Sequence, residues 1–139
     1  MTTSSANSPV ATGPATATAA IDWFEIPVRD LDRARAFYEM LLAVPLRREQ
    51  MGANTLMLFG PADASVGGCL IAGPDVAAPS ETGTLVYLNA EPSLDAALQR
   101  LAKAGGRVVV GKTQLPGDMG CFAHVADSEG NRVGLHAQH

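Results

Sequence analysis

The stretch IDWFEIPVRDLDRARAFYEMLL (residues 21–42) decides the fold prediction, because its apolar residues change from a two-residue period to a helical one. In its first part Phe24 and Ile26 face one side of a predicted strand, whereas Trp23 and Glu25 face the other. A carboxylate is costly to bury, so Glu25 in an otherwise apolar strand needs a partner or a function. The sequence therefore predicts a strand with one core face and one face open to chemistry.

The second part of the stretch predicts a helix over about residues 31–43, because its apolar residues recur at helical spacing. Asp30 is a suitable N-cap or turn residue, and Pro45 should end the helix. The segments TLMLFG and GGCLIAG then read as two short strands, separated by the turn-rich GPADASVG.

The same order of elements returns about 63 residues later in the chain. TLVYLNA (residues 84–90) reads as a strand, and SLDAALQRLAKAGG reads as a helix capped by Ser93 and stopped at Gly105 or Gly106. RVVVGK, CFAHVAD and NRVGLHA read as three further strands. The sequence predicts an α+β fold of two tandem βαβββ modules, whose curled mixed sheets surround a central cleft.

Composition limits the classes of function. Apolar residues make up 47% of the 139, and the net charge is −4, which argues against nucleic acid as a partner because binding it needs a basic face. We expect one domain over residues 21–139, with modules at about 21–75 and 82–137, after a disordered Ala/Thr/Ser-rich tail at 1–20. No segment has the apolar length to span a membrane, and we expect a cytoplasmic protein.

The two cysteines, Cys69 and Cys121, lie far apart in the sequence and form no C-x-x-C pair. We expect both to be small buried apolar residues rather than a disulfide or a thiolate zinc site.

Three motifs carry a resemblance to a known family: VRDLDRAxxFYE at residues 28–39, AGGRV at 104–108 and DSEGNRVGL at 127–135. With the doubled βαβββ order, they resemble the vicinal oxygen chelate superfamily, which includes glyoxalase I, extradiol dioxygenases and bleomycin- and fosfomycin-resistance proteins. The resemblance covers residue 21 to about 137. It implies a glyoxalase-like fold, a small-molecule site in the cleft and a homodimer.

Metal-dependent members of that superfamily hold a divalent ion with His and Glu side chains from four strands. The matching positions here are Trp23, a site near Leu85, Gly134 and the GGCLIAG segment, in which only Cys69 could coordinate a metal. Trp, Leu and Gly offer no lone pair to a metal, and a functional site needs about three protein ligands. The resemblance therefore predicts a cleft with no metal and no cofactor.

Other side chains of the predicted cleft face are polar or aromatic. Glu25 and His124 are the candidate catalytic residues, because a carboxylate base and an imidazole acid suit proton transfer. The candidate ligand-binding residues share the same face and are Trp23, Tyr87, Asn89, Phe122 and His136.

Several of these candidates have a structural alternative. Glu25 could pair with an arginine or bind buried backbone, and Tyr87 could be a half-buried strand aromatic. Asn89 could cap the end of its strand, and His136 could be a solvated C-terminal residue.

Three functions remain open from sequence. The favoured one is a metal-independent small-molecule binder of the glyoxalase/bleomycin-resistance type. The alternative is a lyase or isomerase related to glyoxalase, with Glu25 as base and His124 or Tyr87 as proton donor, although it lacks the metal that relatives use. A third is an interaction module in which the sheets mainly build a homodimer.

Overall fold

The computed structural model describes residues 20–64 and 66–139. The predicted tail lies outside these ranges except for residue 20. Within these ranges there are two helices, α1 (Leu31–Leu42) and α2 (Leu94–Ala104), and each is preceded by one of eight strands and followed by three more. The strands are β1 (Trp23–Pro27), β2 (Arg47–Met51), β3 (Asn54–Phe59), β4 (Gly67–Ala72), β5 (Tyr87–Asn89), β6 (Arg107–Gln114), β7 (Cys121–Ala126) and β8 (Arg132–Ala137).

The strands form two four-stranded sheets with the same topology. Their orders are β1-β4-β3-β2 and β5-β8-β7-β6. In each sheet the strand before the helix pairs in parallel with the last strand of its module, and the other pairs are antiparallel. The predicted α+β fold of two βαβββ modules is confirmed.

Both helices begin where the sequence places their caps. The Asp30 side chain accepts a hydrogen bond from the Arg33 backbone N–H at 3.0 Å, and Ser93 accepts one from Ala96 at 3.1 Å. Helix α2 ends at Gly105 in the left-handed conformation. Helix α1 ends in the same way at Ala43, with φ 57°, before the chain reaches the proline that was expected to stop it.

The helix-facing sides of both sheets meet in one hydrophobic core. Phe37, Tyr38 and Leu41 of α1 are buried in it, together with Leu94 and Leu101 of α2. Since members of both modules belong to the same core, burial of apolar area holds the modules together. A polar contact adds to this, because the Arg100 guanidinium of α2 donates to the carbonyls of Met40 and Leu41 at the end of α1.

The turn of residues 127–131 in the second module binds the start of α1 in the first. The buried Glu129 carboxylate accepts hydrogen bonds from the Arg29 and Asp30 backbone N–H groups at 2.9 and 2.8 Å. It also accepts two from the Arg33 guanidinium, at 2.6 and 2.9 Å. A carboxylate at a helix N-terminus satisfies N–H groups that have no partner inside the helix.

A second buried carboxylate of this turn, Asp127, completes the junction. It accepts a hydrogen bond from the buried Tyr38 hydroxyl at 2.6 Å and one from the Asn131 amide at 3.0 Å. The Asn131 amide also donates to the Pro27 carbonyl at 2.8 Å, which fixes the end of β1. The DSEGN motif therefore joins the two modules.

Both cysteines are buried and free, as expected. No helix among the described residues is long and apolar enough to cross a bilayer.

Candidate functional site

The faces of the two sheets that point away from the helices carry the sequence-predicted site residues. Along β1, Phe24 and Ile26 pack on the common core, so Trp23 and Glu25 face the opposite side. Along β5, Leu88 is buried in the core, and Tyr87 and Asn89 face away from it. Strands β7 and β8 add the remaining candidates, which are Phe122, His124 and His136.

The structure brings three of the candidates into direct contact. The Tyr87 ring lies edge-on to Phe122 at 6.0 Å between centroids and to His124 at 5.5 Å. Phe122 and His124 lie 5.4 Å apart, and the Tyr87 hydroxyl is 2.7 Å from His124 Nε2. We call these three residues the ring cluster. It is a half-exposed aromatic surface.

Arg132 supports the ring cluster and was not among the sequence-predicted residues. Its guanidinium lies 2.9 Å from His124 Nδ1. Burial and, to a smaller extent, the nearby Arg132 charge lower the pKa of His124, so the imidazole is neutral near pH 7. The alternation of β8 puts Arg132 on the same face as Gly134 and His136, and that period is the sequence signal that could have identified it.

His136 and Asn89 lie beside the ring cluster with partners of their own. His136 Nε2 is 2.6 Å from the Met119 carbonyl oxygen, and its ring lines a cavity of about 300 Å³ with Tyr87 and Phe122. The Asn89 side chain accepts a hydrogen bond from the Glu91 backbone N–H at 2.8 Å. Asn89 therefore caps the end of its strand, which is one of the two roles that the sequence left open for it.

Glu25 and Trp23 lie on the other sheet, apart from the ring cluster. Glu25 is exposed beside Cys69, and burial, then the Glu25 charge, raises the pKa of the Cys69 thiol to about 12. Glu25 also lines a cavity of about 250 Å³ with Arg132, but it forms no ion pair with any residue of the described ranges. No hydrogen bond or ring contact in those ranges joins Glu25 or Trp23 to the ring cluster.

An aromatic ring lies over a glycine in each module. Trp23 pairs in register with Gly67, and Tyr87 pairs with Gly134. A Cβ on Gly67 would be 2.9 Å from the Trp23 ring, and a Cβ on Gly134 would collide with the Tyr87 ring. Each glycine lets a ring lie against the neighbouring strand, on the sheet face that points away from the helices.

The positions that the sequence matched to metal ligands lack a suitable donor set. They are Trp23, Leu85, which precedes β5, Gly134, and the GGCLIAG strand β4, whose Cys69 thiol is buried. Residues 20–64 and 66–139 contain no group of three or more His, Cys, Asp or Glu side chains placed to hold a metal. The donor set does not fit a divalent ion at this site.

A cavity of about 510 Å³ is lined by residues of both modules. Its walls are largely apolar. The lining residues include four that also pack on the common core, Phe24, Leu42, Phe59 and Leu88, together with Tyr87 and Asn89. Tyr87 thus borders both this cavity and the smaller one beside Phe122.

The fold and this cleft define a class of protein, and comparison with known proteins identifies it. The model of the Glyoxalase/Bleomycin resistance protein/Dioxygenase superfamily matches residues 20–135. The chain belongs to that superfamily. No curated protein matches it.

Solved structures of similar fold include a glyoxalase I variant from Zea mays, with 19% identity and a TM-score of 0.63. That match covers 84% of this chain and 45% of the maize chain, so this protein spans about half of it. TnmS3, an antibiotic binding protein from a Streptomyces species, has 23% identity and a TM-score of 0.61 over 88% of this chain and 98% of its own. A glyoxylase/bleomycin resistance protein/dioxygenase domain from a Frankia species has 19% identity and a TM-score of 0.61, over 88% and 98%.

Proposed function

We propose that this protein binds an aromatic small molecule in the cleft between its two modules, without a metal ion. The observation that carries the proposal is the placement of Tyr87. Its ring lies over Gly134, the residue that the sequence matched to a metal-ligand position, and it borders two of the cavities. Pockets of this size with apolar walls and few polar groups are typical of small-molecule sites.

The ligand class follows from the walls of the site. The ring cluster offers ring faces and edges, against which flat unsaturated molecules pack favourably. The Tyr87 hydroxyl and the His124 imidazole supply the polar groups that orient such a ligand. TnmS3, whose fold is similar, binds an antibiotic, and this supports a sequestering or resistance role here.

The lyase alternative needs the base and the proton donor at one site. Glu25 lines cavities of about 250 and 230 Å³, and neither Tyr87 nor His124 lines them. General acid–base catalysis requires both groups within hydrogen-bond reach of one substrate. The geometry therefore favours binding over catalysis, and Glu25 serves as an outer polar group of the cleft.

Binding can be tested by titrating the purified protein with a panel of flat aromatic compounds and antibiotics. Trp23 fluorescence and calorimetry are the readouts. Tyr87→Ala should weaken the affinity for the best ligand by roughly tenfold or more, because a central aromatic contact is lost. The melting temperature should change little, since Tyr87 is 48% exposed.

The matched control is Val108→Ala, which truncates a side chain of equal exposure on β6. It should leave the affinity unchanged. A Tyr87→Ala protein that binds as tightly as the wild type would refute the proposed site.

The proposal includes a homodimer and a cytoplasmic location. Apolar side chains that are exposed in one chain, such as Trp23 and Val44, would support pairing. Sedimentation equilibrium over a range of concentrations tests the dimer, and a monomer at every concentration would remove that part of the proposal.

A further inference from the structure

We propose that Arg132 sets the hydrogen-bond direction of the ring cluster, so that Tyr87 donates its phenolic proton to the ligand and the site selects ligands with an acceptor oxygen. The inference rests on the proposed function and specifies the ligand class at the same site. It makes Arg132 a positioning residue and Tyr87 the group that touches the ligand.

The first step concerns His124 Nδ1. The Arg132 guanidinium has only donors and stays charged, so at 2.9 Å the Nδ1 atom must accept its hydrogen bond. An accepting Nδ1 carries no proton. Neutral imidazole then has its single proton on Nε2, and the lowered pKa of His124, caused by burial and by Arg132, agrees with a neutral ring.

The second step concerns the Tyr87 hydroxyl. Nε2–H of His124 lies 2.7 Å from the Tyr87 oxygen and donates to it. The hydroxyl proton cannot point back at a nitrogen that already carries one. Within residues 20–64 and 66–139 no other hydrogen bond of this hydroxyl exists, so its proton is left for an acceptor outside the protein.

The third step concerns the chemistry of that acceptor. The charge on Arg132, transmitted through the neutral ring, polarises the Tyr87 O–H bond and makes it a better donor. A carbonyl or an ionised phenol oxygen on a flat ring can accept this proton while the ring packs on Phe122. A ligand with only apolar edges at that point leaves the donor unsatisfied, and such a mismatch costs affinity.

The test uses 9-fluorenone and fluorene, two flat molecules of the same shape, of which only the first has a carbonyl oxygen. The wild type should bind fluorenone roughly three- to tenfold more tightly than fluorene, as expected for one added hydrogen bond. Tyr87→Phe should abolish that preference and retain fluorene binding. Arg132→Met should reduce the preference, and Arg107→Met, a change at an exposed arginine on β6, should leave it unchanged.

Nitrogen-15 spectra of the histidine ring give a readout that a purely structural role of Arg132 would not change. At pH 7.5 the wild-type His124 should be the Nε2–H tautomer, and Arg132→Met should turn it into a mixture of tautomers. A wild-type His124 that is protonated, or that carries its proton on Nδ1, would overturn the inference.

The outcomes separate the two proposals. If both probes bind equally well and both lose affinity in Tyr87→Ala, the proposed function stands and the inference on acceptor ligands is wrong. If fluorenone preference persists in Tyr87→Phe, the inference is also wrong. If neither these probes nor any flat compound of the panel binds the wild type, the proposed aromatic site is refuted and the inference falls with it.

Discussion

At the scale of single residues, glycines decide what the cleft can hold. The sequence showed only that Gly134 stands where metal-dependent relatives have a ligand and that glycine offers no donor there. In the structure it is also the surface on which the Tyr87 ring rests, as Gly67 is for Trp23. Sequence could show that no donor stands at these positions, but it could not show the rings above them, because that contact depends on the register between strands far apart in the chain.

This packing predicts a coupling between Gly134 and Tyr87. Gly134→Ala places a methyl group against the Tyr87 ring and should lower the free energy of unfolding by about 1–3 kcal/mol. In a Tyr87→Ala background the same change should cost less than about 1 kcal/mol. Denaturant unfolding of the four proteins measures the difference.

Gly83→Ala is the control, because a Cβ there meets no atom within 4 Å. It should change stability by no more than about 0.5 kcal/mol. An equal cost of Gly134→Ala with and without the Tyr87 ring would show that the ring does not rest on the glycine.

At the scale of elements, the sequence predicted the repeated βαβββ order, both helices and their caps. It did not locate β2, whose residues RREQM are all exposed and show no apolar alternation. That strand is defined by pairing with β3, which a local pattern cannot show. The sequence also predicted one convergent cluster, whereas the structure groups Tyr87, Phe122 and His124 by contact and leaves Trp23 and Glu25 on the other sheet.

The turn of residues 127–131 has a function that its sequence alone did not show, since its partners lie about 100 residues away in the chain. Burial acts to raise the pKa of Glu129, but hydrogen bonds, first from Arg33 and then from the Asp30, Ser128 and Arg29 groups, lower it to about 2. The folded-state pKa is thus below the ordinary value of 4.5. The ionised Glu129 carboxylate therefore stabilises the folded state fully above about pH 4.5, and this stabilisation is lost as the pH falls towards 2.

Glu129→Gln should therefore destabilise the protein by about 2–3 kcal/mol at pH 7, because it removes the charge that Arg33 and the helix N-terminus bind. The difference from the wild type should shrink as the pH is lowered from 4.5 towards 2. Urea unfolding at several pH values measures both effects.

Glu49→Gln, at an exposed position on β2, is the matched control and should be nearly neutral throughout. A Glu129→Gln penalty that is independent of pH would contradict this account of the junction.

At the scale of the whole molecule, one core and the 127–131 turn hold two similar modules together, and residues of both modules line a shared cavity. The superfamily and the fold could be predicted from sequence, because the order and spacing of the motifs can be read within this chain, although identity to the solved structures of similar fold is only 18–26%. The ligand could not be predicted, because it depends on how residues of both modules line the cavities and on side-chain contacts such as that of Arg132 with His124.

The central claim is that this cleft binds an organic molecule without a metal, and one measurement tests it most directly. The dissociation constant of fluorenone, or of the best compound in the panel, is measured in EDTA and again with Ni²⁺, Zn²⁺, Co²⁺ or Mn²⁺, with metal content determined on the same samples. We expect the same dissociation constant in all conditions, and at a hundred times that concentration a stabilisation of about 2.7 kcal/mol. Binding that appears only with stoichiometric metal would contradict the claim.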